Sequence, residues 1–202
     1  MIPFEEIKRY LPQYLSGESQ GELFDELKSF PDNIDQRVYT SYASSETIYQ
    51  GDGFNGLLII NFPSPEIKHA PALILSNTCD IHPENKRLIS VRIVYAPIIS
   101  YDSYKKMLLV KAKTRIKKIY DHLDAIKKQY VSNIFYLPEG KGLKYNAIVF
   151  FDRLNNCPAK TISKEMIENQ RLFTFSNYGF YLFLIKISIH FTRIREGIDR
   201  YH

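Results

Sequence analysis

The stretch Leu88-Ile89-Ser90-Val91-Arg92-Ile93-Val94-Tyr95-Ala96-Pro97-Ile98-Ile99 decides the fold class. Its density of β-branched side chains predicts the longest strand of the chain. Two shorter apolar runs precede it, each bounded by turn chemistry. Leu57-Leu58-Ile59-Ile60-Asn61-Phe62 follows the turn signal Gly51-Asp52-Gly53 and closes on Pro63-Ser64-Pro65. Pro71-Ala72-Leu73-Ile74-Leu75-Ser76 leads into a polar loop over residues 77–87. Downstream, Ile134-Phe135-Tyr136-Leu137 and Ala147-Ile148-Val149-Phe150-Phe151 flank the turn region Pro138-Glu139-Gly140-Lys141-Gly142. Short strands separated in this way predict a small, strongly curved antiparallel sheet or barrel.

Helical periodicity surrounds that sheet, which makes the class α+β. Over residues 103–130, Ala112, Ile116, Ile119, Tyr120, Leu123 and Ile126 share one face and lysine is the commonest residue at the other positions, predicting one central helix. Over residues 177–196, Phe180, Leu184, Ile187, Phe191 and Ile194 share a face, Ser176 is placed to cap it, and Arg193 and Arg195 suit its C-terminal end. Residues 185–192 also alternate with period two, so length and capping favour helix over strand there. At the other end, Phe4, Ile7 and Leu11 line one short helix limited by Pro12. Ser19 and Glu22 form a capping box before Leu23, Leu27 and Phe30. The expected organisation is an acidic helical arm over residues 1–38 and one barrel-like domain over 39–202, with the helical insertion at 103–130.

The 202 residues are 45% hydrophobic and 24% charged, which excludes wholesale disorder. No apolar run approaches the roughly 18–20 residues of a membrane span, since the best one, over 180–185, is cut by Lys186. Glu5 and Glu6 stand where a secretory leader needs bases. Two cysteines, Cys79 and Cys157, are too few for a disulfide scaffold and fit a reducing compartment, so a cytoplasmic location is expected. The net charge of +5 hides a division. Residues 1–60 carry −6 and the remainder +11, a split that points to a basic surface for a polyanion.

Two segments carry candidate chemistry. Residues 105–118 hold Lys105, Lys106, Lys111, Lys113, Arg115, Lys117 and Lys118 without one acid. Such bases on a helix can neutralise several phosphates, each contact steepening the salt dependence of binding by about one log–log unit. Lys86 and Arg87 extend the set of candidate nucleic-acid contacts. The loop over 76–87 gathers Cys79, Asp80, His82 and Arg87, a thiol, a carboxylate, an imidazole and a guanidinium. A histidine beside an arginine suits 2′-hydroxyl attack, one moving protons and the other stabilising the developing phosphorane. Cys79 and His82 also have the spacing of half a zinc site, but no second paired spacing completes it, so no metal and no cofactor is expected. Phosphate-binding glycine loops, H-E-x-x-H, the nucleophile elbow and kinase signatures are missing, against a nucleotide-driven enzyme.

The segment from Gly56-Leu57-Leu58-Ile59-Ile60-Asn61-Phe62-Pro63 through Ala70-Pro71-Ala72-Leu73-Ile74-Leu75-Ser76 to Val94-Tyr95-Ala96-Pro97-Ile98 resembles the MazF/PemK toxin family. The likeness covers about residues 51–100, a quarter of the chain. It implies an SH3-like β-barrel, and the family's activity is ribosome-independent RNA cleavage. Ala70 stands where the family has arginine, and Ile99 where it has threonine. The longer pattern, including Ser76-Asn77-Thr78-Cys79-Asp80-Ile81, looks like bacterial proteins of similar length. The reading that follows is a binding module of a bacterial toxin–antitoxin or phage-defence system. It would meet nucleic acid, RNA before DNA, or an acidic protein through its basic helix. An endoribonuclease with a rearranged site (Cys79, Asp80, His82, Arg87) and a structural subunit of a larger complex are the alternatives, and a homodimer stays open.

Overall fold

A computed structural model describes residues 17–192 apart from 33, 62, 65, 83, 86–87 and 112–115. The expected helix over 4–11, and Arg193, Ile194 and Arg195, lie outside those residues. The elements run α1 (Gly17–Lys28), β1 (Tyr39–Thr40), β2 (Gly53–Ile60), β3 (Ile67–Ile74), α2 (Thr78–Ile81), β4 (Arg92–Ser100), α3 (Tyr101–Lys111), α4 (Ile116–Lys127), β5 (Ile134–Leu137), β6 (Ala147–Phe150), β7 (Asn155–Pro158), α5 (Lys164–Gln170), β8 (Arg171–Phe175) and α6 (Asn177–Thr192). Eight strands form one curved antiparallel sheet in the order β1-β8-β2-β3-β4-β6-β5, with β7 beside β4. The path is open, so the α+β class holds with a curved sheet in place of a closed barrel.

The strands explain their own pairing. In β2 the register against β3 slips between Phe54 and Leu57, where Gly56 has φ of 76° and supplies the extra residue of a bulge. Pro97 of β4 lacks an N–H. On the edge opposite β3, the partner chain leaves β6 at Phe150 and returns as β7 at Asn155, so no ladder bond is asked of Pro97 there. The long strand starts at Arg92 rather than Leu88, and Leu88 and Ile89 are exposed on the preceding loop.

Alternation along the strands splits the core into three clusters. Leu73, Ala96, Ile98, Phe135, Leu137, Ala147 and Val149 face one side with Tyr178, Tyr181, Leu182 and Phe183 of α6 and Leu23 of α1. Ala72, Ile74, Ile93 and Tyr95 face the other side with Ile167 of α5. Ile134, Tyr136, Ile148 and Phe150 share that second side with Ile119, Leu123 and Ile126 of α4. Both faces of the sheet are therefore covered by helices.

Three helical expectations need correction. The single helix over 103–130 is two, α3 and α4; of the expected stripe Ala112 lies outside the described residues, Ile119, Leu123 and Ile126 are buried, and Ile116 and Tyr120 are exposed. The division lets Tyr104, Leu108 and Leu109 of α3 reach the same cluster, which one straight helix would carry away from it. Ser19 lies within α1 and not at its start. In α6 the buried residues are Tyr178, Gly179, Tyr181, Leu182, Phe183 and Lys186, whereas Phe191 of the expected stripe is exposed. That helix is apolar almost all round, so packing selects its buried face. Its cap is as expected, with the Gly179 amide donating to Ser176 Oγ at 3.2 Å. Gly179 permits a contact no other residue would, because a Cβ there would lie 2.1 Å from the Val38 carbonyl oxygen.

A junction ties α4, β5 and α6 together. Gln129 ends α4 at φ of 58°, with its amide donating to Ile126 O and that of Tyr130 to Ala125 O, the bonding of a Schellman cap. Its side-chain amide then pairs with β5 like a strand: Nε2 donates to Tyr136 O at 2.7 Å and Oε1 accepts from Tyr136 N at 3.1 Å. Its carbonyl accepts from Nζ of Lys186, which is 5% exposed.

Candidate functional site

The basic segment is a helical hairpin built on the end of β4. Tyr101 opens α3, donating its amide to Asn146 O at 2.9 Å and its hydroxyl to Leu123 O at 3.2 Å. Tyr104 hydroxyl meets His122 Nε2 at 3.1 Å, and its ring packs edge-on against Phe150. Lys127 Nζ lies over the Tyr101 ring at 5.2 Å and Lys105 Nζ over the Tyr120 ring at 5.3 Å. These pairings run antiparallel, bringing the C-terminal end of α3 and the N-terminal end of α4 to the same tip.

Charge is polarised along this hairpin. Toward the tip, Lys106, Lys111, Lys117 and Lys118 are exposed, and no carboxylate among the described residues lies within salt-bridge distance of them. Toward the base stand Asp102 and Asp124, the latter paired with Lys128 at 2.9 Å, and the exposed Asp121 lies between them and the tip, one helical turn from Lys117. Met107, Val110, Ile116 and Tyr120 are exposed among the tip lysines. Lys113 and Arg115 lie outside the described residues, as do Lys86 and Arg87.

The loop after β3 is organised by its own turns. Asn77 Oδ1 accepts from the Cys79 amide at 2.9 Å and caps the single-turn helix α2. Asn85 Nδ2 donates to Cys79 O at 3.0 Å, and the Glu84 amide donates to His82 Nδ1 at 3.3 Å. Gln50 N donates to Thr78 Oγ1 at 2.9 Å, while Ile81 is buried in the second cluster. Cys79 is exposed, and among the described residues no hydrogen bond joins it to His82. His82 Nδ1 closes a turn with the Glu84 amide. Described residues contain no cluster of three or more metal-ligating side chains. This loop and the hairpin leave β4 from opposite ends, about 26 Å apart for a nine-residue strand. Cys79, Asp80 and His82 are thus one locality, and Lys111, Lys117 and Lys118 another.

Sequence reasoning passed over a buried charged centre. Asp52, read only as part of a turn, has no solvent exposure. It accepts from Thr174 Oγ1 at 2.6 Å and from the Tyr49 amide at 2.9 Å, and faces Arg171 Nε at 3.3 Å. Burial pushes its carboxyl up to about 6 against the pull of Arg171, Thr174 and that amide. Arg171 in turn donates to the carbonyls of Ser44 and Thr47, pinning the segment before β2, and lies over the Phe54 ring at 5.6 Å. Arg171 Nε has only the ion pair with Asp52, without a hydrogen bond, while both of its terminal nitrogens and the Asp52 carboxylate are hydrogen-bonded within the chain, as in a structural brace. Lys186 is similar: burial pulls its ammonium down to about 8.

No helix of the described residues is long and apolar enough to cross a membrane. Compared with protein-family models and with curated proteins, the chain matches none of them.

Proposed function

We propose that this chain is a nucleic-acid-binding module, with RNA as its ligand before DNA, in a bacterial toxin–antitoxin or phage-defence setting. The observation that carries the reading is the tip of the α3–α4 hairpin, where Lys106, Lys111, Lys117 and Lys118 are exposed and no carboxylate among the described residues lies within salt-bridge distance of them. Solvated lysines on an ordinary surface are commonly interleaved with acids. Here Asp102 and Asp124 stand toward the far end, and Asp121, one helical turn from Lys117 and Lys118, is within salt-bridge distance of neither, so positive charge remains in excess at the tip. The altered toxin motif over residues 51–100 supports the setting, and Ala70 in place of the family's arginine fits binding without cleavage.

The test is fluorescence anisotropy of labelled RNA across a salt series. Four phosphate contacts predict a log–log slope of about −3 for a single strand. Reversing Lys111, Lys117 and Lys118 to glutamate is expected to flatten that slope by about 2 and to leave the fold intact by circular dichroism. RNA recovered at full length is expected. Undetectable binding of RNA and DNA at low salt overturns the reading.

A further inference from the structure

Exposed apolar and aromatic side chains at the hairpin tip find more to contact on unstacked bases than on an RNA duplex, which is met mostly through its phosphates and 2′-hydroxyls. Val110 is 81% exposed, Ile116 57% and Tyr120 49%. Tyr120 stands apart from the other tyrosines of the hairpin. Tyr101 and Tyr104 spend their hydroxyls on Leu123 O and His122, and their rings on Tyr136 and Phe150. Among the described residues Tyr120 has neither a hydrogen bond nor a ring partner; its one described contact is Lys105, whose ammonium lies over the ring. Helical geometry puts Lys117 one turn away on the same side, about 4.5 Å along the axis. An aromatic face flanked by unpaired ammonium groups is the arrangement that binds unstacked bases and their phosphates together.

We infer that the ligand of the hairpin tip is single-stranded RNA and that Tyr120 is the side chain on which one of its bases stacks. The inference rests on the nucleic-acid reading above. Lys105 holds the ring from one side, and the residue's exposure leaves the other face to the base. Lys117 meets the phosphate beside that base, while Val110 and Ile116 cover apolar parts of neighbouring nucleotides. Every base has a π-face, so this contact is tolerant of sequence.

The experiment compares the full chain with Tyr120→Ala and Tyr120→Phe on three labelled 12-nucleotide probes. These are a single-stranded RNA, the same RNA as a duplex, and a strand with abasic sites that keeps its phosphates. Tyr120→Ala is expected to weaken the single strand about tenfold or more without changing its salt slope, and Tyr120→Phe to retain affinity. The abasic strand is expected to bind weakly and to ignore the substitution. Circular dichroism and melting separate this from misfolding. If Tyr120→Ala binds the single strand like the parent, or the duplex binds as tightly as the single strand, the stacking inference fails while the lysine effect can still stand. If no probe binds the parent chain at all, both fail together.

Discussion

Replacing Lys186 by methionine keeps most of a buried stem and removes the ammonium, and its effect should be read as a function of pH. The side chain is 5% exposed, and burial lowers its pKa from 10.5 to about 8. Between those values the unfolded chain binds more protons than the folded one, so stability rises with pH across the window from about 8 to 10.5. At about 1.36 kcal/mol per pK unit, the full shift corresponds to roughly 3 kcal/mol at neutral pH. Screening within a real protein interior reduces this to about 1–2 kcal/mol. Against it stands the hydrogen bond to Gln129 O, which methionine loses at a cost of about 1 kcal/mol. At pH 7 the two terms nearly cancel, so the variant and the parent should agree within about 1 kcal/mol. Raising the pH to 10 should then favour the parent by about 1–2 kcal/mol more, because its ammonium has been neutralised and the variant has nothing there to titrate. Urea unfolding of both proteins at pH 7, 8, 9 and 10 gives this difference directly, and all other lysines and tyrosines cancel in it. A difference that is flat with pH, or that moves in favour of methionine, refutes a buried, unpaired ammonium at this position.

Two further outcomes follow from packing and charge. Arg171→Met strips Asp52 of the one cation paired with it among the described residues and releases the Ser44 and Thr47 carbonyls; a loss of about 3 kcal/mol is expected at pH 7. That deficit should shrink as pH falls through about 6, since a folded-state carboxyl with a raised pKa gains stability when protonated; denaturation at pH 5 and 7 checks the sign. Glycine in helices offers a paired test. Gly179→Ala drives a Cβ into the Val38 carbonyl and should cost about 2 kcal/mol or more, whereas Gly21→Ala, with nothing within 4 Å, should add about 0.5–1 kcal/mol. Melting temperatures moving in the same direction for both would sink the argument.

What the sequence revealed depended on whether local pattern and tertiary position agreed. Runs such as 134–137 and 147–151 are apolar, β-branched and bounded by turns, and they become β5 and β6 nearly as expected. Asn155-Asn156-Cys157-Pro158 has poor strand propensity and becomes β7 only because β4 offers it a register. Arg171–Phe175 shows no clean alternation, and β8 starts directly after Gln170 of α5 with no glycine or proline to mark the boundary. Periodicity treats a charged residue as outward-facing, so Asp52, Arg171 and Lys186 were invisible as interior groups. The lysines of the hairpin were legible because nothing in the fold buries them. Their division between two helices was not, since an amphipathic stripe does not show where the chain turns back.

The junction at Gln129 bears on how this chain meets copies of itself. A strand at the margin of a sheet ordinarily offers unpaired amides and carbonyls to any extended segment that drifts past, which is how sheets fuse and fibres begin. β5 ends the strand order, yet its outward row is spoken for. Ile134 N donates to Val131 O, both backbone groups of Tyr136 are held by the Gln129 amide, and Pro138 O accepts from the Tyr39 hydroxyl. At the other margin β1 presents only two residues. The sheet is thus closed to growth along β5 without being closed into a barrel, and self-association by strand addition there would first have to pull a glutamine side chain out of the role of a ninth strand.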